Sequence, residues 1–183
     1  YYNKGTKNGL VEHYKKVAGE TDLPIIIYNV PSRTGVDISI SQMERLAHVN
    51  NIVAIKEASP SIEKAELFLR TFKDRFALYS GNDSLTLPIL AIGGKGVISV
   101  MSNLIPLEVK RLCTLYFDGD ITNAAELQTR LIPLCDALRC EINPIPLKAA
   151  LSERGFCKNI LRAPITELSR DNKKQLFKII NDL

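Results

Sequence analysis

Asn51-Ile52-Val53-Ala54-Ile55-Lys56-Glu57-Ala58 is an apolar, β-branched run that ends on a single lysine, Lys56. A run of this length without polar alternation reads as a strand buried on both faces, because only a sheet covered on both sides lets polar positions disappear. Lys56 then stands where the buried strand emerges. An ammonium held partly out of water loses solvation of its charged form, so its pKa falls and a neutral amine able to attack a carbonyl becomes populated near neutral pH. That is the chemistry of a Schiff-base enzyme. The bland alternative is a strand-end lysine that reaches back to solvent.

Outward from this run, the strand signature recurs. Pro24 opens Ile25-Ile26-Ile27-Tyr28-Asn29-Val30, and Pro31-Ser32-Arg33-Thr34-Gly35 closes it, since proline cannot continue a ladder. Phe76 to Ser80 ends in Gly81-Asn82-Asp83, and Gly93-Gly94-Lys95-Gly96 turns into Val97-Ile98-Ser99-Val100. Helical spacing fills the intervals, from Thr6 to Gly19, from Ser39 or Ser41 to near Val49, from Pro60 or Ser61 to Phe72, and from Leu85 to Ile92. Ser41 and Glu44 have capping-box spacing. Alternation of this kind implies parallel strands joined by right-handed crossovers. After Val100 only helices are expected, over Pro106 to Phe117, Asp120 to near Cys140, Pro144 to near Gly155 and Ser169 to Asn181.

The totals exclude several classes. Hydrophobic residues make up 45% and charged residues 24% of 183, ordinary for a globular chain of one domain or slightly more. The net charge of +4 comes from lysines and arginines scattered among acids, so no nucleic-acid partner is expected. No stretch approaches the ~20 apolar residues that span a bilayer, and no membrane partner is expected. Cys113, Cys135, Cys140 and Cys157 lack Cys-x-x-Cys spacing and read as buried or free thiols in a reducing, cytoplasmic compartment. Two histidines, His13 and His48, far apart in sequence, offer no histidine-based metal site. Gly93, Gly94 and Gly96 precede a strand instead of opening a helix, so they do not read as a phosphate cradle.

Periodicity leaves two architectures, an open doubly wound sheet or four consecutive units of a (β/α)8 barrel. The strand ends favour the barrel: Tyr28-Asn29, Lys56-Glu57 and Gly81-Asn82-Asp83 carry polar chemistry that a barrel would gather at one mouth, whereas an open sheet would spread it along an edge. Residues 1–118 are assigned to the partial barrel and 119–183 to a helical region.

Tyr28-Asn29-Val30-Pro31-Ser32-Arg33-Thr34-Gly35 followed by Val53-Ala54-Ile55-Lys56-Glu57-Ala58 resembles the signature of the dihydrodipicolinate synthase and N-acetylneuraminate lyase family of Schiff-base barrel enzymes. Tyr1-Tyr2-Asn3, Ser80-Gly81-Asn82-Asp83, the run from Gly93 to Val100 and Asn143-Pro144-Ile145-Pro146-Leu147-Lys148 are similar to further family segments, in family order. The resemblance implies an α/β fold, the C-terminal half of a (β/α)8 TIM barrel with four parallel strands, followed by a helical C-terminal extension.

The resemblance also implies roles. Lys56 forms an imine with pyruvate, Tyr28 moves protons near the imine carbon, and Tyr2 is the relay tyrosine that reaches a neighbouring subunit's site. Tyr1 lies beside it, near a regulatory pocket for L-lysine as feedback inhibitor. Ile98 contacts pyruvate through its backbone, and Gly81 and Asn82 line the aldehyde side, with Asn82 standing where many relatives carry Asp. Arg33, whose planar fork suits a carboxylate, favours the branch that condenses pyruvate with L-aspartate semialdehyde in lysine biosynthesis, the 4-hydroxy-tetrahydrodipicolinate synthase reaction. Other aldolases of the family, acting on N-acetylneuraminate or 2-keto-3-deoxy-gluconate, remain the nearest alternative, and a non-catalytic half-barrel interaction protein the alternative of another class. No metal or organic cofactor is implied.

The resemblance covers about the last five-eighths of a family chain. The threonines of the tyrosine relay belong to the part not matched, so the 183 residues alone are expected to be inactive. Open sheet edges invite pairing with another copy, and a homo-oligomer, dimer or tetramer, is expected.

Overall fold

The structure, a computed structural model, describes residues 3–182. The chain forms two compact units, Tyr1–Ile98 and Ser99–Leu183. In the first, α1 (Lys7–Gly19) begins where Thr6 Oγ1 accepts the Gly9 amide at 3.0 Å, satisfying a donor that the helix itself leaves open. Four strands follow, β1 (Ile25–Asn29), β2 (Ile52–Glu57), β3 (Ala77–Ser80) and β4 (Gly96–Val97), all parallel and in the order β1-β2-β3-β4. They are joined through α2 (Pro31–Thr34) and α3 (Ile40–Leu46), α4 (Ile62–Phe72), and α5 (Thr86–Ala91).

The strands are not buried on both faces as the apolar run suggested. Ile27, Ile55 and Leu78 share one face and join Val11 of α1, Met43 and Leu46 of α3, and Phe68 and Phe72 of α4 in one core. The other face carries Ile26, Tyr28, Ala54, Lys56, Ala77 and Tyr79, and Ile26 and Tyr28 are each 44% exposed. Helices supply apolar cover to one face only. The uncovered face still carries apolar residues such as Ile26, Ala54 and Ala77, which is why the sequence shows no alternation.

Two local readings also change. The capping box of α3 is Ser39 with Gln42: Ser39 Oγ accepts the Gln42 amide at 3.3 Å and Gln42 Oε1 accepts the Ser39 amide at 3.0 Å. Ser41 and Glu44, the expected pair, sit inside the helix. β4 spans only Gly96–Val97 rather than reaching Val100. Ser99 Oγ accepts the Ser102 amide at 2.8 Å and draws the chain into a 3-10 turn over Met101–Asn103.

The second unit is helical: α6 (Pro106–Phe117), α7 (Ile121–Ala137), α8 (Ile145–Glu153) and α9 (Arg170–Asn181). Leu112, Leu131, Leu134, Leu138, Leu176 and Ile180 are buried within it. The division falls at Ile98 and Ser99 instead of near residue 118, and α6 groups with the later helices because it packs on the Met101–Asn103 turn and on α7. Among the described residues, Cys113, Cys135, Cys140 and Cys157 form no disulfide. No helix among the described residues is long and apolar enough to cross a membrane.

One cation ties the first unit together. Arg75 follows α4 and donates from Nε to the Ala47 carbonyl at 2.6 Å, from Nη2 to Val49 at 2.7 Å and from Nη1 to Ile52 at 3.0 Å, while its guanidinium lies 4.3 Å from the Phe76 ring centroid. The Ala47 and Val49 carbonyls belong to the connection that delivers β2, and Ile52 is its first residue. Arg75→Ala is expected to lower stability by about 1.5–3 kcal/mol, the range for a charge-assisted hydrogen bond. Arg75→Lys, whose single ammonium lacks the planar fork, should recover only part of it. Urea unfolding of the three proteins measures both losses.

Candidate active site

Parallel register sets the site. Tyr28 pairs with Lys56, and Lys56 with Tyr79, so three side chains from adjacent strands project from the uncovered face in one row. Lys56 Nζ lies 4.1 Å from the Tyr28 ring centroid. An ammonium on a ring face gains a cation–π attraction of about 0.5–1 kcal/mol at a partly exposed site. Burial nonetheless pushes the Lys56 amine below its ordinary pKa, and the Asp83 carboxylate opposes that shift. The lysine is thus drawn toward the neutral form needed for attack on a carbonyl.

The remaining expected residues fall around this row. Ile98 donates its amide to the Ser80 carbonyl at 2.9 Å, extending the β3–β4 pairing by one bond past Val97. Gly81, the residue after β3, lies tight against the end of β2: its amide donates to Glu57 O at 2.7 Å, and a Cβ there would stand 2.6 Å from Ala58 Cβ. Asn82 Nδ2 donates to the Ser59 carbonyl at 3.2 Å, so this side chain binds the end of the lysine strand. Arg33 lies exposed on α2, the first element after β1. Tyr1 and Tyr2 lie outside the described residues, and nothing is assigned to their placement.

Behind the row, on the packed face, is a polar network. Asn29 Nδ2 donates to Glu57 Oε1 at 3.0 Å, to Oε2 at 2.9 Å and to Asp37 Oδ1 at 2.8 Å, and Asn29 Oδ1 accepts the Ile38 amide at 3.1 Å. Glu57 Oε1 also accepts the Ser59 amide at 2.6 Å. Lys64 of α4 pairs with Glu57 Oε2 at 3.2 Å and with Asp37. Burial alone would raise the Asp37 carboxyl; hydrogen bonds from Lys64 and Asn29, the Lys64 charge and the Ile38 amide outweigh it and hold the group below its ordinary value.

Sequence reasoning assigns no role to three groups, Tyr79, Asp83 and the Asn29–Glu57 pair, and it groups Asn29 and Glu57 with the polar strand ends at the mouth, whereas both side chains lie on the packed face. Tyr79 lies two residues before Gly81, and a period-2 reading anchored on Lys56 would place it in the row. Asn29 and Glu57 carry a clearer signal. Each is a polar residue one step past a candidate site residue, and therefore on the opposite face of its strand. Among the described residues, no cluster of His, Cys, Asp and Glu is placed to hold a metal ion.

A model of the dihydrodipicolinate synthetase family matches residues 1–183. A 4-hydroxy-tetrahydrodipicolinate synthase of Alkaliphilus oremlandii is 44% identical over 177 residues, 97% of this chain and 61% of the relative. A crystal structure of dihydrodipicolinate synthase from Aquifex aeolicus superposes with a TM-score of 0.96 at 44% identity, over 100% of this chain and 62% of that one. A structure of the enzyme from Cyanidioschyzon merolae with lysine bound gives a TM-score of 0.93 at 37% identity, over 99% of this chain and 62% of that one. The chain spans 61 to 63% of the length of the curated relatives it matches.

The tight approach at Gly81 gives a direct check on this geometry. Gly81→Ala forces a methyl against Ala58 and against Glu57 O, 3.0 Å from the ideal Cβ, where backbone has little room to give. The variant is expected to lose about 1–3 kcal/mol of stability, the range for overpacking. Thermal unfolding measures the loss; an unchanged melting temperature would contradict the approach described.

Proposed function

The chain belongs to the dihydrodipicolinate synthetase family, and on that premise we propose that it carries the Schiff-base site of a 4-hydroxy-tetrahydrodipicolinate synthase, a lyase of the class I aldolase type acting on pyruvate and L-aspartate semialdehyde. The observation that carries the proposal is the pairing of Tyr28 with Lys56 in register on the uncovered face, with the amine 4.1 Å from the ring centroid and its pKa lowered by burial.

In this reading neutral Lys56 attacks the pyruvate ketone carbon and the carbinolamine loses water to give an imine, which tautomerises to an enamine. The enamine carbon adds to the aldehyde of the second substrate. The amine of the condensed product then closes the ring by displacing Lys56, which leaves as the free amine. Tyr28 carries protons at the imine carbon in this reading, and the Tyr28 ring centroid 4.1 Å from the amine supports it. The Ile98 amide is already engaged with Ser80, which leaves its carbonyl, an acceptor suited to the hydroxyl of the carbinolamine formed on pyruvate rather than to pyruvate's own oxygens. Arg33 binds the carboxylate of the aldehyde substrate as a bidentate partner. Gly81 and Asn82 shape that side of the site, and Tyr2 and Tyr1 serve the proton relay and the neighbourhood of a regulatory lysine pocket.

The architecture proposed with this function is half of a (β/α)8 barrel wall followed by a helical extension. Strands in strictly sequential order, with helices on one face and Ile26, Tyr28 and Lys56 on the other, support it. A complete barrel of this kind in a cytoplasmic homo-oligomer is the setting in which the site would work, and the chain alone is proposed to be inactive. Binding of L-lysine is proposed by analogy with the lysine-bound neighbour.

Pyruvate followed by borohydride is expected to leave one reduced pyruvyl adduct on the complete native protein, mapped to Lys56 by peptide mass spectrometry and abolished by Lys56→Ala. An adduct on Lys95 or Lys148 in its place would overturn the assignment.

A further inference from the structure

Asn29 and Glu57 end β1 and β2 one residue beyond Tyr28 and Lys56 and pair with each other in register. They are 1% and 5% exposed. Burying an amide and a carboxylate is costly unless every polar atom is bonded, and elsewhere on this face Ile27, Ile55 and Leu78 fill the same layer with carbon. Packing therefore gives no reason for a polar pair here. Geometry gives one. Because side chains alternate along a strand, rotating the last residues of β1 or β2 about the strand axis swings positions 28 and 56 one way and positions 29 and 57 the other. Asn29 Nδ2 grips both oxygens of Glu57 at 3.0 and 2.9 Å, and the Ser59 amide fixes one of them at 2.6 Å, so that rotation is blocked from behind.

We propose that the Asn29–Glu57 pair is a positioning latch for the Tyr28–Lys56 couple, setting the angle at which the two strands end and so the place of the lysine amine against the tyrosine ring. Neither residue touches the reacting atoms; both act through their neighbours in the chain. Lys64 and Asp37 hold the latch closed, from α4 and from the segment after α2. The groups around Lys56 itself are Tyr28 on β1, Tyr79 on β3 and Asp83 in the turn after β3. When the latch opens, the strand end turns, water reaches the Lys56 amine, and the neutral form is harder to populate at pH 7.

The inference rests on the imine reading of Lys56, and the test separates the two. Adduct formation is timed with saturating pyruvate and cyanoborohydride across a range of pH, using the complete native protein and the Glu57→Gln, Asn29→Ala and Leu46→Ala variants. Glu57→Gln keeps the shape but sets amide against amide. Asn29→Ala leaves the Glu57 charge satisfied by Lys64 at 3.2 Å and by the Ser59 amide, so a folded variant is available even where the first is not. Leu46→Ala weakens the core from α3 without touching the latch, and serves as the control for plain destabilisation.

The latch predicts that Glu57→Gln and Asn29→Ala, folded at the assay temperature, trap pyruvate about tenfold or more slowly at pH 7. The midpoint of their pH profiles moves up, toward the ordinary lysine value of about 10.4. Leu46→Ala lowers the melting temperature and leaves the midpoint in place. Folded Glu57→Gln or Asn29→Ala with the wild-type rate and midpoint overturns the latch alone, as does an equal shift in Leu46→Ala. A wild-type protein that traps no pyruvate on Lys56 sinks the imine reading and the latch with it.

Discussion

The parallel pairing of β1 with β2, Tyr28 against Lys56 and Asn29 against Glu57, is the constraint on which the rest of this site depends. It joins two consecutive positions on two adjacent strands, and alternation sends the pairs to opposite faces. The first pair lies on the face that the helices leave uncovered. The second is buried and held by Asp37, Ser59 and Lys64, residues of three different segments. A shift of β2 by one residue would exchange its faces, turning Ile55 outward and burying the lysine between Ile27 and Leu78.

Placing an amine partly out of water opposes folding while the group is charged, so the surroundings must offset it. The helical face supplies that cover. Phe68, Phe72 and Phe76 stack at ring centroid distances of 4.8 to 6.1 Å beside Leu78 in one apolar core. Arg75 closes the other end of that layer by gathering two carbonyls from the connection into β2 and one from the strand's first residue. Stability is thereby built on one face of the sheet and at the ends of its connections, and the opposite face presents Tyr28, Lys56 and Tyr79.

Much of this arrangement is legible in the amino-acid sequence. The apolar run ending on Lys56, the proline-bounded run ending on Tyr28-Asn29 and the glycine of Gly81-Asn82-Asp83 mark strand number and direction, because prolines, glycines and β-branched residues act locally. Face assignment is not legible. Ile26 and Val53 are as apolar as Ile27 and Ile55, so hydropathy alone does not separate an uncovered face from a packed one. The short β4 escapes for a similar reason: Ser99 and Ser102 redirect the backbone by a local hydrogen bond that competes with the ladder. Ser39 prevails over Ser41 as cap because its partner Gln42 also reaches the Lys7 carbonyl at 3.1 Å, a contact across 35 residues that no local window contains. The Asn29–Glu57 network is tertiary in the same sense; its members are spread from Asn29 to Lys64.

The central claim is that the sheet holds the Lys56 amine in a place where its neutral form is within reach. Heteronuclear NMR of the native protein, following the lysine Cε and Nζ resonances through a pH titration with Lys56 assigned by the Lys56→Arg variant, reads that state directly. The account predicts a Lys56 midpoint below the ordinary lysine value of about 10.4, in the direction that burial imposes. A Lys56 that titrates at or above that value in the folded protein would contradict it.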